Sequence, residues 1–315
     1  EHTVALSRVC RECHDEMFEL YEGSIHSSLI EKGNLAAPIC VDCHGFHSVG
    51  PAATLATIAG EPCRRCHDEV FGAYEASMHG QSRGEGGHLE APICADCHQA
   101  HGVSAASWGE RLRSACMACH SEVEALHDKW LPNSGRHLQS VACPSCHAPA
   151  AERRIDLVLY DRNTGMPVRS DDLNEMLKKG GITDKDIWTE GMNAVELWKL
   201  VREANLGEDG SPVALVGQLE VRTGLEAHRM ERKGDALRDC EVCHSMGAEA
   251  FENVMISMAD SDGSIREYPA ADEVLNSVAS VGALGGFYAL GSTRIKILDF
   301  LLILAVLGGM SVPAL

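Results

Sequence analysis

CRECHDEMFELYEGSIHSSLIEKGNLAAPICVDCHGFH, residues 10–47, is matched 53 residues further on by CRRCHDEVFGAYEASMHGQSRGEGGHLEAPICADCHQAH, residues 63–101. Each stretch contains Cys-x-x-Cys-His twice and ends in a histidine three residues after the second copy. A third, degenerate unit covers residues 116–147 and lacks that final histidine. Repetition at a fixed period indicates a structure built from copies of one unit, here a unit with two such motifs.

All fourteen cysteines of the chain belong to seven copies of this motif. Zinc sites and disulfides also use paired cysteines, but neither requires a histidine directly after the second cysteine. The pattern is typical of c-type haem attachment, so we predict seven covalently bound haems. The predicted thioether residues are Cys10, Cys13, Cys40, Cys43, Cys63, Cys66, Cys94, Cys97, Cys116, Cys119, Cys143, Cys146, Cys240 and Cys243. The predicted proximal iron ligands are His14, His44, His67, His98, His120, His147 and His244.

Nine histidines lie outside the motifs, and seven irons with two histidine ligands each would need seven of them. The predicted distal ligands are His26, His47, His79, His101, His127, His137 and His228. His88 aligns with His137 and competes with it, while the first unit has Asn34 at this position. His2 is either a spare ligand or has no such role.

His47 and His101 each follow a proximal histidine by only three residues. So short a segment cannot comfortably place both histidines on one haem. We therefore expect each of them to bind the iron of a neighbouring haem. The sequence leaves open which distal histidine serves which haem.

Over about residues 8–150, the repeats resemble multihaem c-type cytochromes of the NapC/NirT and cytochrome c554-like kind. The resemblance lies in Ser24-Ile25-His26, in Ser77-Met78-His79-Gly80 and in the two CHxxH ends, His44–His47 and His98–His101. It implies bis-histidine haems that pass electrons along a chain. For the whole protein we expect a heptahaem, membrane-anchored subunit of a quinone-linked electron-transfer complex.

The density of the motifs predicts the organisation of the chain. The expected fold is a multihaem cytochrome c, mainly α with little regular structure, with a small β-containing insert and a C-terminal transmembrane helix. The predicted parts are a hexahaem region built from two-haem repeats (1–150), a haem-free α+β insert (151–225), a seventh-haem region (226–290) and a membrane segment (291–315).

Residues 151–270 contain the patterns that predict regular structure outside the repeats. Residues 153–168 predict a strand, a turn and a second short strand, and Asp262-Gly263 predicts the turn of a hairpin. Residues 184–206 predict an amphipathic helix with Trp188 and Trp198 in its core. The insert serves either as a docking module for a partner or as a plain scaffold.

The chain ends in TRIKILDFLLILAVLGGMSVPAL, residues 293–315, with no charge from Phe300 onward. At about 1.5 Å per residue, the stretch from Ile295 is long enough to cross a bilayer core. Lys296 and Asp299 lie within it, and a buried core helix is the alternative. Because haem is attached outside the cytoplasm, we predict a location on the periplasmic side of the cytoplasmic membrane, anchored by this segment.

The formal net charge of −19 argues against a basic nucleic-acid-binding face and favours positively charged redox partners. The predicted function is an electron relay between the quinone pool, reached through a membrane b-type cytochrome or other quinone-reactive subunit, and periplasmic redox proteins. The direction of electron flow is left open.

An enzyme is the main alternative to a relay. It would be a multihaem reductase or oxidase that acts on small nitrogen or sulfur species at a five-coordinate haem. A unit of a polymeric cytochrome filament is a further alternative. All seven motifs end in histidine, and the supply of distal histidines is sufficient. These two observations favour a non-catalytic electron-transfer subunit.

Overall fold

The chain folds into two compact units in this computed structural model. Residues 8–45, 61–84, 87–103, 109–163, 168, 191–206, 213–259, 265–276 and 296–311 are described. Unit one consists of Glu1–Glu152, Val221–Leu237 and Ala259–Ile265, and unit two of Arg153–Glu220, Arg238–Met258 and Arg266–Leu315.

Unit one is built from short helices joined by tight turns. Acidic pairs follow the first motif of each of the first two repeats, where they complement the positive end of the helix dipole. The helices are α1 (Asp15–Glu22), α2 (Ile25–Glu31), α3 (Cys40–His44), α4 (Glu61–Arg64), α5 (Asp68–Ala76), α6 (Met78–Gly84), α7 (Cys94–His98), α8 (Gly109–Met117), α9 (Val123–His127), α10 (Ser134–Ser140), α11 (Cys143–His147) and, after the insert, α13 (Gly224–Ala227).

A serine fixes the break between the first two helices of each of the first two repeats. Ser24 Oγ accepts a hydrogen bond from the Ser27 amide, which caps α2. Ser77 Oγ accepts the equivalent bond from the Gly80 amide in α6. The capped helix therefore starts at the same point in both repeats, one residue before the predicted ligand His26 or His79.

Unit two contains a four-stranded sheet in the order β2-β1-β3-β4. Its central strand β1 runs parallel to β3, with Ile155 opposite Val254 and Leu157 opposite Ile256, and residues 155–159 are buried. The elements are β1 (Arg153–Asp161), α12 (Ala194–Leu206), β2 (Val213–Val221), α14 (Glu241–His244), a 3-10 helix (Glu249–Phe251), β3 (Val254–Ala259), β4 (Ile265–Ala270), a second 3-10 helix (Asp272–Asn276) and α15 (Lys296–Ser311).

Helix α12 supplies the apolar layer of unit two outside the sheet. It packs against the 3-10 helix Asp272–Asn276, and its Leu197 and Leu200 are fully buried. Trp198 was expected in the core of this helix but is 42% exposed, with the Arg202 guanidinium 5.2 Å from its ring centroid. That expectation was wrong because Leu197 and Leu200 take the inward face. Trp188 lies outside the described residues.

The predicted fold class needs two corrections. Regular structure is more extensive than expected, because short helices recur throughout the repeats and four strands pair into one sheet. The predicted C-terminal transmembrane helix is also wrong. In the part of the chain that the structure describes, no helix combines the length and the apolar character needed to cross a membrane.

The length of α15 explains the second correction. The helix has 16 residues, or about 24 Å at 1.5 Å per residue, against a bilayer core of about 30 Å. It also begins at Lys296 and includes Asp299. The predicted location, which required an anchor in this segment on the periplasmic side of the membrane, is contradicted with it.

A buried group of charges lies on the sheet. The Asp156 side chain is fully buried and accepts hydrogen bonds from Arg154 and Ser257, while Arg154 also pairs with Glu267. Burial is the largest cause that raises the pKa of Glu220, and the neighbouring Asp156 raises it further, to about 8. This buried group therefore holds more carboxylate groups, Asp156, Glu220 and Glu267, than Arg154 alone can neutralise.

We expect Glu220→Gln to remove a pH dependence from unit two. The pKa of Glu220 rises from 4.5 in the unfolded chain to about 8 in the fold. The native state therefore binds the extra proton, and the free energy of unfolding falls as pH rises through this window. Calorimetry should show that the free energy of unfolding of the variant increases relative to that of wild type from pH 5 to pH 9, by on the order of a few kcal/mol.

The exposed Glu249 provides a control in the same unit. Glu249→Gln should leave the pH profile of wild type unchanged. Parallel pH profiles for wild type and Glu220→Gln would contradict the raised pKa.

Candidate haem-binding sites

The backbone gives the seven motifs a common local geometry. Helices α3, α7 and α11 each begin at the first cysteine of a motif and end at its histidine. In the other four motifs, the histidine amide donates to the carbonyl of the first cysteine, at 2.8 to 3.0 Å. A bond across four residues is one helical turn, so it puts the first cysteine and the histidine on one face.

The second motif of each complete repeat is fixed by an internal aspartate and by a tyrosine from α1 or α5. The Ile39 and Ile93 amides donate to the carboxylates of Asp42 and Asp96 at 2.8 and 2.7 Å. The Tyr21 and Tyr74 hydroxyls donate to the carbonyls of residues 38 and 92, at 2.9 and 2.7 Å. Sequence reasoning missed this positioning role. The signal was that both tyrosines and both aspartates recur one period apart.

The two motifs within a unit lie side by side. All fourteen cysteines lie among the described residues, and none of them forms a disulfide. The first cysteines of the paired motifs share hydrogen bonds, in the pairs Cys10–Cys40, Cys63–Cys94 and Cys116–Cys143. In the second pair, the bond from Cys94 lowers the pKa of Cys63 to about 6, which favours the reactive thiolate.

Neighbouring units also bring their motifs together. Arg65, in the third motif, donates from Nη1 to the carbonyl of Asp42, in the second motif, at 2.7 Å. Helix α3 packs against α4, and α7 packs against α8. The first six motifs therefore follow one another in space in the same order as in the sequence.

Five predicted proximal histidines each face one predicted distal histidine. A metal–nitrogen bond is about 2.0–2.1 Å, and a ring nitrogen lies about 1.1 Å from its centroid, so two imidazoles on one iron have centroids about 6.3 Å apart. The observed centroid separations are 6.5 Å for His67–His26, 6.0 Å for His44–His101, 6.2 Å for His120–His79, 5.8 Å for His98–His228 and 6.3 Å for His147–His127. The five pairs fit an iron between them.

Most of these pairs join different repeat units. His26 faces His67 and His79 faces His120, and the partners lie 41 residues apart in both cases. In these two pairs, a histidine that follows the first motif of one unit faces the proximal histidine in the first motif of the next unit. His101 instead faces back to the preceding unit. The equal separation of 41 residues in His26–His67 and His79–His120 was a signal in the sequence for these two pairs.

The environment favours the neutral form of five of these imidazoles, which is the form that binds a metal. Burial is the main cause that lowers the histidine pKa, and the facing imidazole lowers it further, at His26, His79, His98, His101 and His147.

Two of the distal candidates are also oriented by the backbone. The Nδ1 atoms of His127 and His228 lie 2.8 and 2.6 Å from the carbonyl oxygens four residues earlier, so that an N–H donated from Nδ1 leaves Nε2 as the ligand atom. His137 has the same arrangement with the Asn133 carbonyl at 3.3 Å.

The remaining candidates have different surroundings. The His88 side chain is 61% exposed, with its Nδ1 3.1 Å from a Glu90 carboxylate oxygen. His47 and His2 lie outside the described residues. The sequence left the pairing of distal histidines open, and none of the five pairs includes His14 or His244. The seventh motif belongs to unit two, where α14 packs against the 3-10 helix Glu249–Phe251 and this helix packs against β1.

The paired histidines need a planar tetradentate group to complete an iron site. Among the residues that the structure describes, no cluster of three or more His, Cys, Asp or Glu side chains could hold a metal ion directly. Two histidines leave a six-coordinate iron four ligands short, and the four nitrogens of a porphyrin would supply them. The residues therefore fit haem better than a bare metal ion.

We expect Gly80→Ala to disturb the pair His79–His120. A Cβ at Gly80 would lie 2.2 Å from the Tyr74 carbonyl oxygen and 2.6 Å from the Glu75 Cα atom. Helix α6 would have to shift and carry His79 with it, and overpacking of this kind costs about 1–3 kcal/mol. Thermal denaturation of the haem-loaded protein should show this loss.

Gly72 in α5 offers a matched control, since a Cβ there meets nothing within 4 Å. Gly72→Ala should be neutral or stabilising by up to about 1 kcal/mol, because alanine favours a helix. Equal losses in the two variants would show that the close approach at Gly80 is unimportant.

Comparison with known proteins gives one match. Residues 62–148, little more than a quarter of the chain, match the family model described as cytochrome c554 and c-prime. No curated protein and no solved structure matches. The match covers the second and third repeat units, with four of the seven motifs, and the proximal histidines of these motifs belong to four of the five histidine pairs. It supports a multihaem c-type cytochrome, with covalently bound haem and a role in electron transfer.

Proposed function

We propose that this protein is a heptahaem c-type cytochrome that relays electrons between a quinone-reactive partner, such as a b-type cytochrome, and a soluble redox protein. Each of the seven motifs would attach one haem through its two cysteines and bind the iron through its histidine. The haem irons would supply the one-electron redox chemistry. The chain's own residues would hold the haems in order and close both axial positions of each iron.

The observation that carries the proposal is the set of five facing histidine pairs. Their centroid separations of 5.8 to 6.5 Å are those of two imidazoles on one iron. An iron held on both sides by histidine has no open position for a substrate. Such an iron can exchange electrons but cannot bind a small nitrogen or sulfur species, which favours a relay over an enzyme.

The order of the motifs supports transfer along a chain of haems. Within a unit, the first cysteines of both motifs are in contact, and between units α3 packs against α4 and α7 against α8. Haems attached at these cysteines would therefore be neighbours in sequence order. Electrons that enter at one end could pass through six haems without leaving unit one.

Haem content and coordination test the proposal directly. Mass spectrometry of the holoprotein should give seven haems per chain, and low-temperature EPR should give low-spin ferric signals only. Both results follow if every motif is loaded and every iron has two histidine ligands. A high-spin haem that binds nitrite or cyanide would contradict the relay and favour the enzyme.

The charge of the protein predicts how it meets redox partners. A formal net charge of −19, to which haem propionates would add, attracts cations over a distance set by ionic strength. In stopped-flow experiments, reduction by the cation hexaammineruthenium(II) should slow roughly tenfold or more between 10 and 200 mM salt.

The anion dithionite is the matched control for charge. Its reaction should accelerate, or stay constant, over the same range of salt. If both reductants respond to salt in the same way, the surface charge does not select the partner.

A further inference from the structure

The third repeat unit has lost one predicted ligand. The second motifs of the three units read CHGFH, CHQAH and CHAPA, so that Ala150 stands where the first two units have His47 and His101. If the lost histidine had a ligand role, one iron would need a substitute. The structure identifies both the role and the substitute.

The role is seen at His101, in the second unit. Its ring centroid lies 6.0 Å from that of His44, a proximal histidine of the preceding unit, and the rings are tilted by only 12°. Two residues later, the Val103 carbonyl accepts a hydrogen bond of 2.8 Å from the Ile25 amide. The segment 101–103 thus reaches back and is fixed beside the capped start of α2.

The same arrangement recurs one repeat further on, where a different segment of the chain supplies the histidine. The centroid of His228 lies 5.8 Å from that of His98, with a tilt of 21°. Two residues later, the Met230 carbonyl accepts a hydrogen bond of 2.8 Å from the Met78 amide. His98 and Met78 lie one repeat period after His44 and Ile25, so the segment 228–230 takes the position that a third CHxxH end would have taken.

The segment that carries His228 is fixed to unit one on both sides of the histidine. Before it, Arg222 pairs with Glu152 through both its backbone and its side chain, and α13 packs against α5. After it, the Glu231 and Leu237 amides donate to the carbonyls of residues 147 and 146, at 2.7 and 2.8 Å. These contacts hold residues 221–237 against α5 and the sixth motif.

We infer that His228 is the sixth ligand of the haem iron attached at Cys94 and Cys97, in place of the histidine that the third unit lacks at Ala150. The inference rests on the proposed function, because it requires a haem at that motif. The Nδ1 of His228 lies 2.6 Å from the Gly224 carbonyl oxygen, so that donation from Nδ1 leaves Nε2 to bind the iron. The fourth haem of the array thereby takes its distal ligand from a segment 130 residues beyond its own motif.

Removal of the imidazole tests the assignment. In the full-length holoprotein, His228→Gly should convert one haem from low spin to high spin by EPR, because the iron loses its sixth ligand. Added imidazole should restore the low-spin signal, which a purely structural role for His228 would not allow. His101→Gly should behave in the same way, and the exposed His88 serves as the control whose glycine variant keeps all haems low spin.

A second variant identifies the haem concerned. Cys94→Ala together with Cys97→Ala should leave six haems by mass spectrometry, because the fourth haem is no longer attached. In that background, His228→Gly should produce no high-spin signal, since its iron is already missing. A high-spin signal there would assign His228 to another haem and overturn the inference.

The two proposals fail in distinguishable ways. Absence of haem from the wild-type protein would refute the proposed function itself. Seven haems in wild type, all of which stay low spin in His228→Gly, would refute only the role of His228.

Discussion

The pairing of histidines across repeat units is the interaction on which the arrangement of unit one depends. Its apolar core is small: among the described residues, the buried apolar side chains are Phe18, Ala37, Ile39, Phe71, Ala73, Ala148 and Ala151, of which four are alanines. So few groups bury too little surface to offset the entropy of ordering some 150 residues. Units that shared iron ligands would be linked through the metal, and the porphyrins would add the missing apolar surface.

Unit two, unlike unit one, is stabilised by a large buried apolar core. This difference separates the two units of the chain. Its central strand β1 is buried on both faces, and α12 and β3 contribute further fully buried side chains. The buried charges around Asp156 oppose this stabilisation, because burial raises the pKa values of Asp156 and Glu220. A unit with a core of this kind can present a single motif on the 3-10 helix next to β1, whereas the described part of unit one has no apolar core of comparable size.

The local features of the structure could be predicted from the sequence, because they depend on residues close together in the chain. The motifs, the repeat and the two neighbouring strands β3 and β4 belong to this class; the predicted turn at Asp262-Gly263 lies outside the described residues. The pairing of His228 with His98 could not be predicted, since the two residues are far apart in sequence and only the fold brings them together. The predictions of a membrane helix and of a buried Trp198 were wrong for a related reason. Hydropathy and periodicity do not say where a helix begins, or which of its faces meets the core.

The broken repeat follows from the way the units share ligands. An array in which each unit supplies histidines to its neighbours lacks donors at its ends, just as the end units of other repeat proteins lack neighbours. At the far end the chain departs from the pattern twice: His127 faces His147 within its own unit, and His228 comes from outside the repeats. In the first unit, the forward pattern that pairs His26 with His67 and His79 with His120 does not assign a distal ligand to His14. The predicted ligand His47 and the possible ligand His2 both lie outside the described residues.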